Sequence, residues 1–202
     1  MEVSYVKDCI SVRIPRRSEL LRQAGMDFIV IPSKGEEIVT STHPSEVVEE
    51  LSLQKAQEVA ERIRSGQEQI QDFDVVIAAD TVVAADHRIL GKPADREDAR
   101  RMITMLQGNV HQVYTGVTLI VNGRDGEVRT RTFHECTDVD VCEMTEDEIE
   151  SYISMKEPYD KAGAYGIQGS FGIYIRAIRG CYYNVVGLPI ARLYHELKKL
   201  TS

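Results

Sequence analysis

The 202-residue sequence is informative first for what it does not contain. No apolar run reaches the roughly 18–20 residues that a helix needs to cross a bilayer. The beginning of the chain, MEVSYVKDCISV, lacks the charged, apolar and small-residue order of a secretory signal peptide. These two absences predict a protein that is neither embedded in a membrane nor exported.

Recognisable metal and disulfide patterns are also absent. The chain has four cysteines and five histidines, and they are scattered along the sequence. No CxxC pair occurs, and the spacing does not fit a zinc site. We therefore interpret the cysteines as reduced thiols, which is typical of a cytoplasmic protein.

An excess of positive charge is missing as well. The formal net charge is −8, whereas proteins that bind nucleic acid usually carry a basic surface. This charge predicts that nucleic acid is not the partner. It still permits an anionic small substrate, because a binding site needs only a local cluster of positive side chains.

The patterns that are present alternate between helix and strand. No repeat, low-complexity linker or change in composition divides the chain, so we predict one domain spanning residues 1–202. Its expected class is α/β, with a long, mixed, twisted β-sheet flanked by helices. Apolar periodicity and capping signals predict helices at 14–25, 44–66, 95–108, 145–155 and 187–200, and strands at 28–33, 74–86, 110–123, 127–144 and 172–180.

One predicted strand contains a carboxylate. In DVVIAADTVVAAD, residues 74–86, Asp80 and Thr81 interrupt an otherwise apolar run. An unpaired buried carboxylate costs several kcal/mol, roughly, so Asp80 needs a partner or a metal. Lys55 falls within the apolar stripe of the long helix, four residues from both Leu51 and Val59. It either extends to water or reaches inward to an anion.

Two further stretches combine glycine with polar residues. ILGKPADREDA lacks the GxxxxGK[ST] spacing of a P-loop, so Lys92 by itself fits a surface turn. EPYDKAGAYGIQG places Asp160, Lys161, Tyr165 and Gln168 among three glycines. Glycines let a backbone pass close to a ligand, and the polar groups offer directional hydrogen bonds. A glycine-rich structural loop with solvated side chains is the alternative interpretation.

Taken in order, these motifs resemble the Maf family of nucleotide pyrophosphatases. The resemblance covers nearly the whole chain, and the combination of DKAGAYGIQG with ADT is its most specific part. It rests on PRRSELL, AADTVV, GKP with DREDARRMITMLQG, HQVYTGV, EPYDKAGAYGIQG and VVGLP. It implies the α/β fold of inosine-triphosphate pyrophosphatases, with two lobes around a cleft.

The resemblance also implies an activity. Family members hydrolyse a nucleoside triphosphate to the monophosphate and pyrophosphate with a divalent metal, Mg²⁺ or Mn²⁺. A homodimer is a further expectation. The DKAGAYGIQG form is similar to the branch that acts on dTTP and UTP. Two alternatives stay open: a regulatory nucleotide-binding module linked to cell division with little turnover, and a house-cleaning enzyme for modified nucleotides.

Matching positions imply roles for individual residues. Asp80 is similar to the catalytic carboxylate, and Glu37 and Asp80 to the pair that holds the metal. The positions that resemble substrate-binding residues are Arg16, Arg17, Lys55, Thr81, Lys92, Lys161 and Gln168.

The chemistry of these residue types fits such a reaction. A triphosphate carries about four negative charges, and attack by water requires that they be neutralised. Arginines at a helix start add to a terminus that already favours phosphate. Carboxylates are oxygen ligands that Mg²⁺ accepts, and Asp80 could orient the attacking water.

One stretch departs from the family pattern. Where the family typically has LASxSPRR, this chain has ISVRIPRR, with Val12 and Ile14 in place of two serines. Two hydroxyl donors for phosphate are thereby lost. Either Val12 and Ile14 face the phosphates without donating, or they pack in the core and Arg13 serves the phosphates instead.

Overall fold

The computed structural model describes residues 8–11, 15–70, 73–123 and 126–201, with only the backbone described for 8–11 and 15. The expectations for Val12, Arg13 and Ile14 lie outside the described residues. Within the described ranges no helix combines the length and the apolar character required to cross a bilayer.

The chain forms both helices and strands, as the periodicity predicts. The α-helices are α1 (Pro15–Gln23), α2 (Pro44–Arg64), α3 (Arg96–Leu106), α4 (Glu146–Ile153), α5 (Tyr182–Val186) and α6 (Ile190–Thr201). The strands are β1 (Asp8–Ser11), β2 (Phe28–Val30), β3 (Val75–Ala85), β4 (Arg88–Leu90), β5 (Val110–Asn122), β6 (Val128–Val141) and β7 (Ile175–Arg179). Short 3₁₀ turns at Glu157–Asp160, Ala162–Ala164 and Ser170–Tyr174 make up much of the glycine-rich segment.

The seven strands form one mixed sheet, which confirms the predicted fold class. The strand order is β2-β1-β3-β5-β6-β7, and β4 pairs with β3 outside this path. β1 is parallel to β2 and β3, and the other pairs are antiparallel. The register of β3 with β5 places Asp80 opposite Gly116 and Thr81 opposite Thr115.

Capping residues fix the ends of two helices where the sequence indicates. The Asp95 side chain accepts a hydrogen bond from the backbone N–H of Asp98 at 2.9 Å and so caps α3. Thr145 and Glu148 form a reciprocal capping box at the start of α4. Each capping side chain binds backbone groups only a few residues away, so the sequence alone indicates both caps. The structure confirms them.

Short elements differ from the prediction. β4 follows a turn in which Asp86 and His87 have positive φ angles of 48° and 59°. The sequence does not indicate these conformations, because neither residue is glycine. The helix α5 has five residues, and the predicted strand 28–33 is reduced to the three residues of β2. Pairing with neighbouring strands sets the lengths of β2 and β4, and local propensity does not indicate that pairing.

Alternate residues of β3 point to opposite faces of the sheet, as the pleat requires. On one face Val76, Ala78 and Val82 pack with residues of α2. On the other face Ala79 belongs to a cluster with α1 and α6, and Val83 to a cluster with α3 and α4. Helices therefore cover both faces of the sheet, as predicted.

Candidate active site

The charge of Asp80 is balanced by a lysine from α2. The Lys55 ammonium forms an ion pair with Asp80 and a second ion pair with Glu37 Oε1 at 2.9 Å. The Lys55 and Asp80 side chains are only 16% and 17% exposed, whereas that of Glu37 is 55% exposed. Lys55 therefore reaches inward to anions and does not extend to water.

The loop that carries Glu37 is fastened to α2. The backbone N–H of Ile38 donates to Gln54 Oε1 at 3.0 Å, and Gln54 Nε2 donates to the Ile38 carbonyl at 2.5 Å. Two residues later, the Thr40 N–H donates to a Glu50 carboxylate oxygen at 2.9 Å. These bonds hold Glu37 beside Lys55, which directly follows Gln54 in the helix.

A glycine sets how closely α2 approaches the sheet. A Cβ atom placed on Gly116 would lie 2.1 Å from the carbonyl oxygen of Val48, which no real side chain tolerates. The backbone of α2 therefore rests directly on β5 at this point. Because Gly116 pairs with Asp80 across the strands, the contact lies next to the carboxylate that Lys55 reaches.

An open cavity borders this cluster. Its volume is about 430 Å³, and the Glu37 loop and the facing side of α2 form its walls. Both Glu37 and Lys55 line it, with Ser33, Ile38, Thr40 and Gln54 among the other residues. A ligand in this space would contact the ion-paired ammonium directly.

On the opposite face of β3, Thr81 belongs to a hydrogen-bond network centred on Arg17. Arg17 is 4% exposed. Its Nε donates to the Gly187 carbonyl at 2.7 Å, Nη1 to the Ala79 carbonyl at 2.6 Å and Nη2 to Thr81 Oγ1 at 2.8 Å. The Thr81 hydroxyl also shares a 2.9 Å hydrogen bond with Thr115 Oγ1.

Burial lowers the pKa of Arg17 from its ordinary value, and the negative charge of Asp80 acts in the opposite direction. The guanidinium is thus part of the electrostatic environment of Asp80, although its three nitrogens all bond to the protein. Arg17 joins α1, β3 and the VVGLP segment. In this arrangement three of its N–H groups donate to the protein.

Arg16 and Lys161 converge on the glycine-rich segment. A Cβ atom on Gly166 would lie 2.7 Å from Arg16 Nη1 and 2.8 Å from Lys161 Cδ, so the absent side chain makes room for both cations. Lys161 Nζ donates to the Glu157 carbonyl at 2.9 Å and forms an ion pair with Asp160. The two positive residues are therefore neighbours, on either side of the space that a side chain at residue 166 would fill.

The same segment is held by a half-buried carboxylate, that of Glu157, and by the neighbouring turn. The Ser170 N–H donates to Glu157 Oε2 at 2.8 Å, and Tyr152 Oη donates to Glu157 Oε1 at 3.3 Å. The Gly163 N–H donates to the Gly91 carbonyl at 3.0 Å, which ties the segment to the GKP turn. Lys92 follows Gly91 and so lies close to this junction.

A buried histidine supports the segment from β5. His111 is fully buried, and its Nε2 shares a 2.7 Å hydrogen bond with Tyr165 Oη. Burial lowers the pKa of His111 to about 4, with the charge of Asp138 acting weakly in the other direction. His111 is therefore neutral at physiological pH.

The remaining predicted substrate-binding side chains are free in this structure. Lys92 and Gln168 are both exposed. Neither forms a hydrogen bond or an ion pair with the part of the chain that the structure describes. Lys92 lies beside the glycine-rich segment and Gln168 lies within it, so both can meet a ligand. The Arg17 nitrogens and the Thr81 hydroxyl instead bond to each other and to the protein.

Three residues that shape the site were not predicted from sequence. Gln54 and His111 had no local signal, because their partners lie far away in the chain. Gly116 did have one, since glycine inside a strand pattern indicates close approach of another backbone. This glycine belongs to the HQVYTGV motif, for which only a strand was predicted.

Glu37 and Asp80 are the carboxylates that could hold a metal. Across the described ranges, no group of three or more His, Cys, Asp or Glu side chains could hold a metal by itself. Glu37 and Asp80 nevertheless approach a single cation, the Lys55 ammonium. Mg²⁺ commonly binds one or two carboxylates and completes its shell with phosphates and water. The pair therefore fits a metal that a phosphate ligand helps to hold.

Comparison with known proteins agrees with the motifs. The sequence model of the Maf family, described as Maf-like protein, matches residues 13–200. The chain belongs to the Maf family. The resemblance inferred from the motifs is thereby confirmed, and both carboxylates and the glycine-rich segment lie within the Maf-like region.

Maf relatives match along most of the chain. A protein of Agathobacter rectalis named dTTP/UTP pyrophosphatase is 56% identical over 191 residues, covering 92% of this chain and 93% of the relative. One of Lachnoclostridium phytofermentans with the same name is 48% identical over 185 residues, covering 92% and 90%. Among solved structures, a Staphylococcus aureus Ham1 protein matches with a TM-score of 0.42 and 16% identity, covering 67% of this chain and 71% of that one.

Proposed function

We propose that this protein hydrolyses dTTP and UTP to the nucleoside monophosphate and pyrophosphate, as a single domain spanning residues 1–202. The observation that carries the proposal is the convergence of Asp80 and Glu37 on Lys55 beside an open cavity. The names of the similar Maf proteins support the choice of nucleotide. Action in the cytoplasm and a homodimer are further parts of the proposal.

Glu37 and Asp80 would hold a divalent cation, Mg²⁺ or Mn²⁺. When bound, the cation neutralises phosphate charge and polarises the phosphorus that is attacked. Asp80 accepts a hydrogen bond from the attacking water and orients it, and this type of assistance is worth roughly 10²- to 10⁴-fold in rate. Its partial burial favours a defined orientation of the carboxylate.

Positive side chains would meet the triphosphate from several elements. Arg16 lies at the start of α1, where backbone N–H groups also favour phosphate, and Lys161 is its neighbour. Lys55 and Lys92 supply charge from α2 and from the GKP turn. Gln168 offers both a donor and an acceptor, which suits the edge of a pyrimidine base.

Release of pyrophosphate from a panel of nucleotides tests the proposal. The panel contains the common ribo- and deoxynucleoside triphosphates and base-modified pyrimidine triphosphates, each with Mg²⁺, with Mn²⁺ and with a chelator. We expect turnover of dTTP and UTP that requires the metal. Stronger turnover of the modified nucleotides would favour the house-cleaning alternative. Binding without formation of monophosphate at high protein concentration would favour the regulatory binding module.

A further inference from the structure

Lys55 occupies the place between Asp80 and Glu37 that a metal ion would take. Its ammonium pairs with both carboxylates at once, although they come from different parts of the chain. Glu37 is brought there by the loop that Gln54 fastens to α2. The two carboxylates are thus assembled around a cation that the protein itself supplies.

The charges in this cluster already balance. Asp80 and Glu37 contribute two negative charges, and Lys55 contributes one positive charge directly between them. The buried guanidinium of Arg17 interacts electrostatically with Asp80 from the other side of β3. A divalent cation that approaches the free protein therefore finds carboxylates whose charge is compensated and whose oxygens are engaged.

We propose that Lys55 is a built-in counter-cation that keeps divalent metal off the free protein, so that the metal enters together with the triphosphate. The inference rests on the proposed function, because the phosphates must take over the ammonium. In the exchange the metal replaces Lys55 at the two carboxylates, and the ammonium moves to a phosphate oxygen. No covalent bond changes, and the net charge of the protein stays the same.

The structure provides what the exchange needs. Lysine carries its charge on a flexible four-carbon stem, so the ammonium moves without displacement of α2. Glu37 is more than half exposed and borders the cavity, which gives a metal–phosphate complex access to it. The helix is held against β5 at Gly116, so the carboxylates and the base of the lysine stay in place.

Binding of Mn²⁺ alone, followed by the electron paramagnetic resonance signal of free Mn²⁺, tests the inference without nucleotide. Replacing Lys55 removes a charge next to two carboxylates, and one such charge changes a carboxylate equilibrium by roughly 10- to 1000-fold. We expect Lys55→Met to bind Mn²⁺ at least about tenfold more tightly than the wild type. Lys55→Arg keeps the charge and is expected to bind as weakly as the wild type.

Two controls test whether the gain in Mn²⁺ affinity arises at Lys55 and Asp80. Lys199→Met removes a lysine from its ion pair with a single carboxylate, that of Glu196 at 3.2 Å on α6, and is expected to gain no affinity. In the double variant Lys55→Met with Asp80→Asn, the gain is expected to disappear. If Lys55→Met does not fold, Lys55→Gln provides the same comparison.

Equal Mn²⁺ affinity of the wild type and the neutral Lys55 variants would overturn the inference, as would a gain that persists without the Asp80 charge. A second readout is binding of a non-hydrolysable UTP analogue, which is expected to weaken in Lys55→Met while binding of Mn²⁺ alone strengthens. Tighter analogue binding would also contradict the exchange. Absence of pyrophosphate release, by contrast, would overturn the proposed function and leave the Mn²⁺ result standing.

Discussion

Asp80 and Thr81 are neighbours in β3, yet the two faces of the sheet treat them differently. Asp80 meets a flexible lysine and an exposed glutamate at the border of a cavity. Thr81 meets a buried arginine whose guanidinium is anchored at three points. One face therefore carries charges that can exchange partners, and the other carries a fixed network that holds the strand in position.

The difference shows how a strand serves both chemistry and support. Side chains alternate across the pleat, so a single step along the backbone separates the two environments. A charge that must meet a ligand needs solvent access, whereas buried polar groups lose free energy unless every partner is present. Four substitutions, each on one of the two faces of the sheet, test this comparison.

The largest effect is expected from Asp80→Asn, which removes the charge on the exchangeable face. Turnover should fall by roughly 10²- to 10⁴-fold while the fold is retained. Steady-state kinetics with UTP and circular dichroism measure the two properties. Asp140→Asn is a matched control, since Asp140 is 19% exposed and lies 3.4 Å from Arg176. Near-normal turnover of folded Asp80→Asn would contradict a catalytic role.

Arg17→Met breaks the fixed face. It leaves two carbonyl oxygens and the Thr81 hydroxyl without their donor, and each buried unsatisfied group costs about 1–3 kcal/mol. We expect the free energy of unfolding in urea to fall by on the order of 3 kcal/mol or more. Arg16→Met, in contrast, should weaken nucleotide binding with little loss of stability. The reverse pattern for the two arginines would show that Arg17 contacts the phosphates.

A fall in pH is expected to lower the stability of the protein through His111, the buried histidine of β5 that bonds to Tyr165. Its pKa is about 4 in the folded protein, below the ordinary value near 6.5, so the unfolded chain binds the proton more readily. Its contribution to stability is complete above about pH 6.5 and is lost as the pH falls towards 4. Between pH 7.5 and pH 5 the loss should be about 2 kcal/mol.

Urea unfolding of the wild type and of His111→Gln over this pH range isolates the contribution of His111. The substituted protein should show a shallower loss of stability between pH 7.5 and pH 5. His195→Gln, at an exposed position of α6, should follow the wild type. Identical slopes for all three proteins would mean that His111 is not the group that titrates.

The smallest effect is expected at Thr81, where Thr81→Val removes one hydroxyl from the network. Stability should fall by about 1 kcal/mol, Thr81→Ser should restore most of it, and the KM for UTP should change little. A raised KM with unchanged stability would instead place Thr81 at the substrate, as its family position implies. The pair of variants thus decides to which side of the comparison Thr81 belongs.

Much of the architecture could be predicted because its signals are local. The apolar run around Asp80, the Asp95 cap and the Thr145 capping box each carry their geometry in a few adjacent residues. The sequence also indicated that Asp80 needs a partner, since a buried charge is costly alone. It left open whether Lys55 supplies it, because the two residues are 25 positions apart.

The contacts of Arg17 within the protein could not be foreseen. An arginine pair at a helix start indicates phosphate binding equally for both members, and the sequence does not show which one the fold encloses. Gly187 and Thr81, which Arg17 contacts, lie 170 and 64 residues away. Long-range contacts of this kind depend on how the helices pack on the sheet, and no local pattern records them.

The contact at Gly116 has a mechanical consequence. The helix α2 carries Lys55, and through Gln54 and Glu50 it also carries the loop with Glu37. Because its backbone rests directly on β5 at that point, the place of both the helix and the loop depends on residue 116 having no side chain. A single methyl group at residue 116 would push the α2 backbone away from the strand, and Lys55 and Glu37 would move away from Asp80 together.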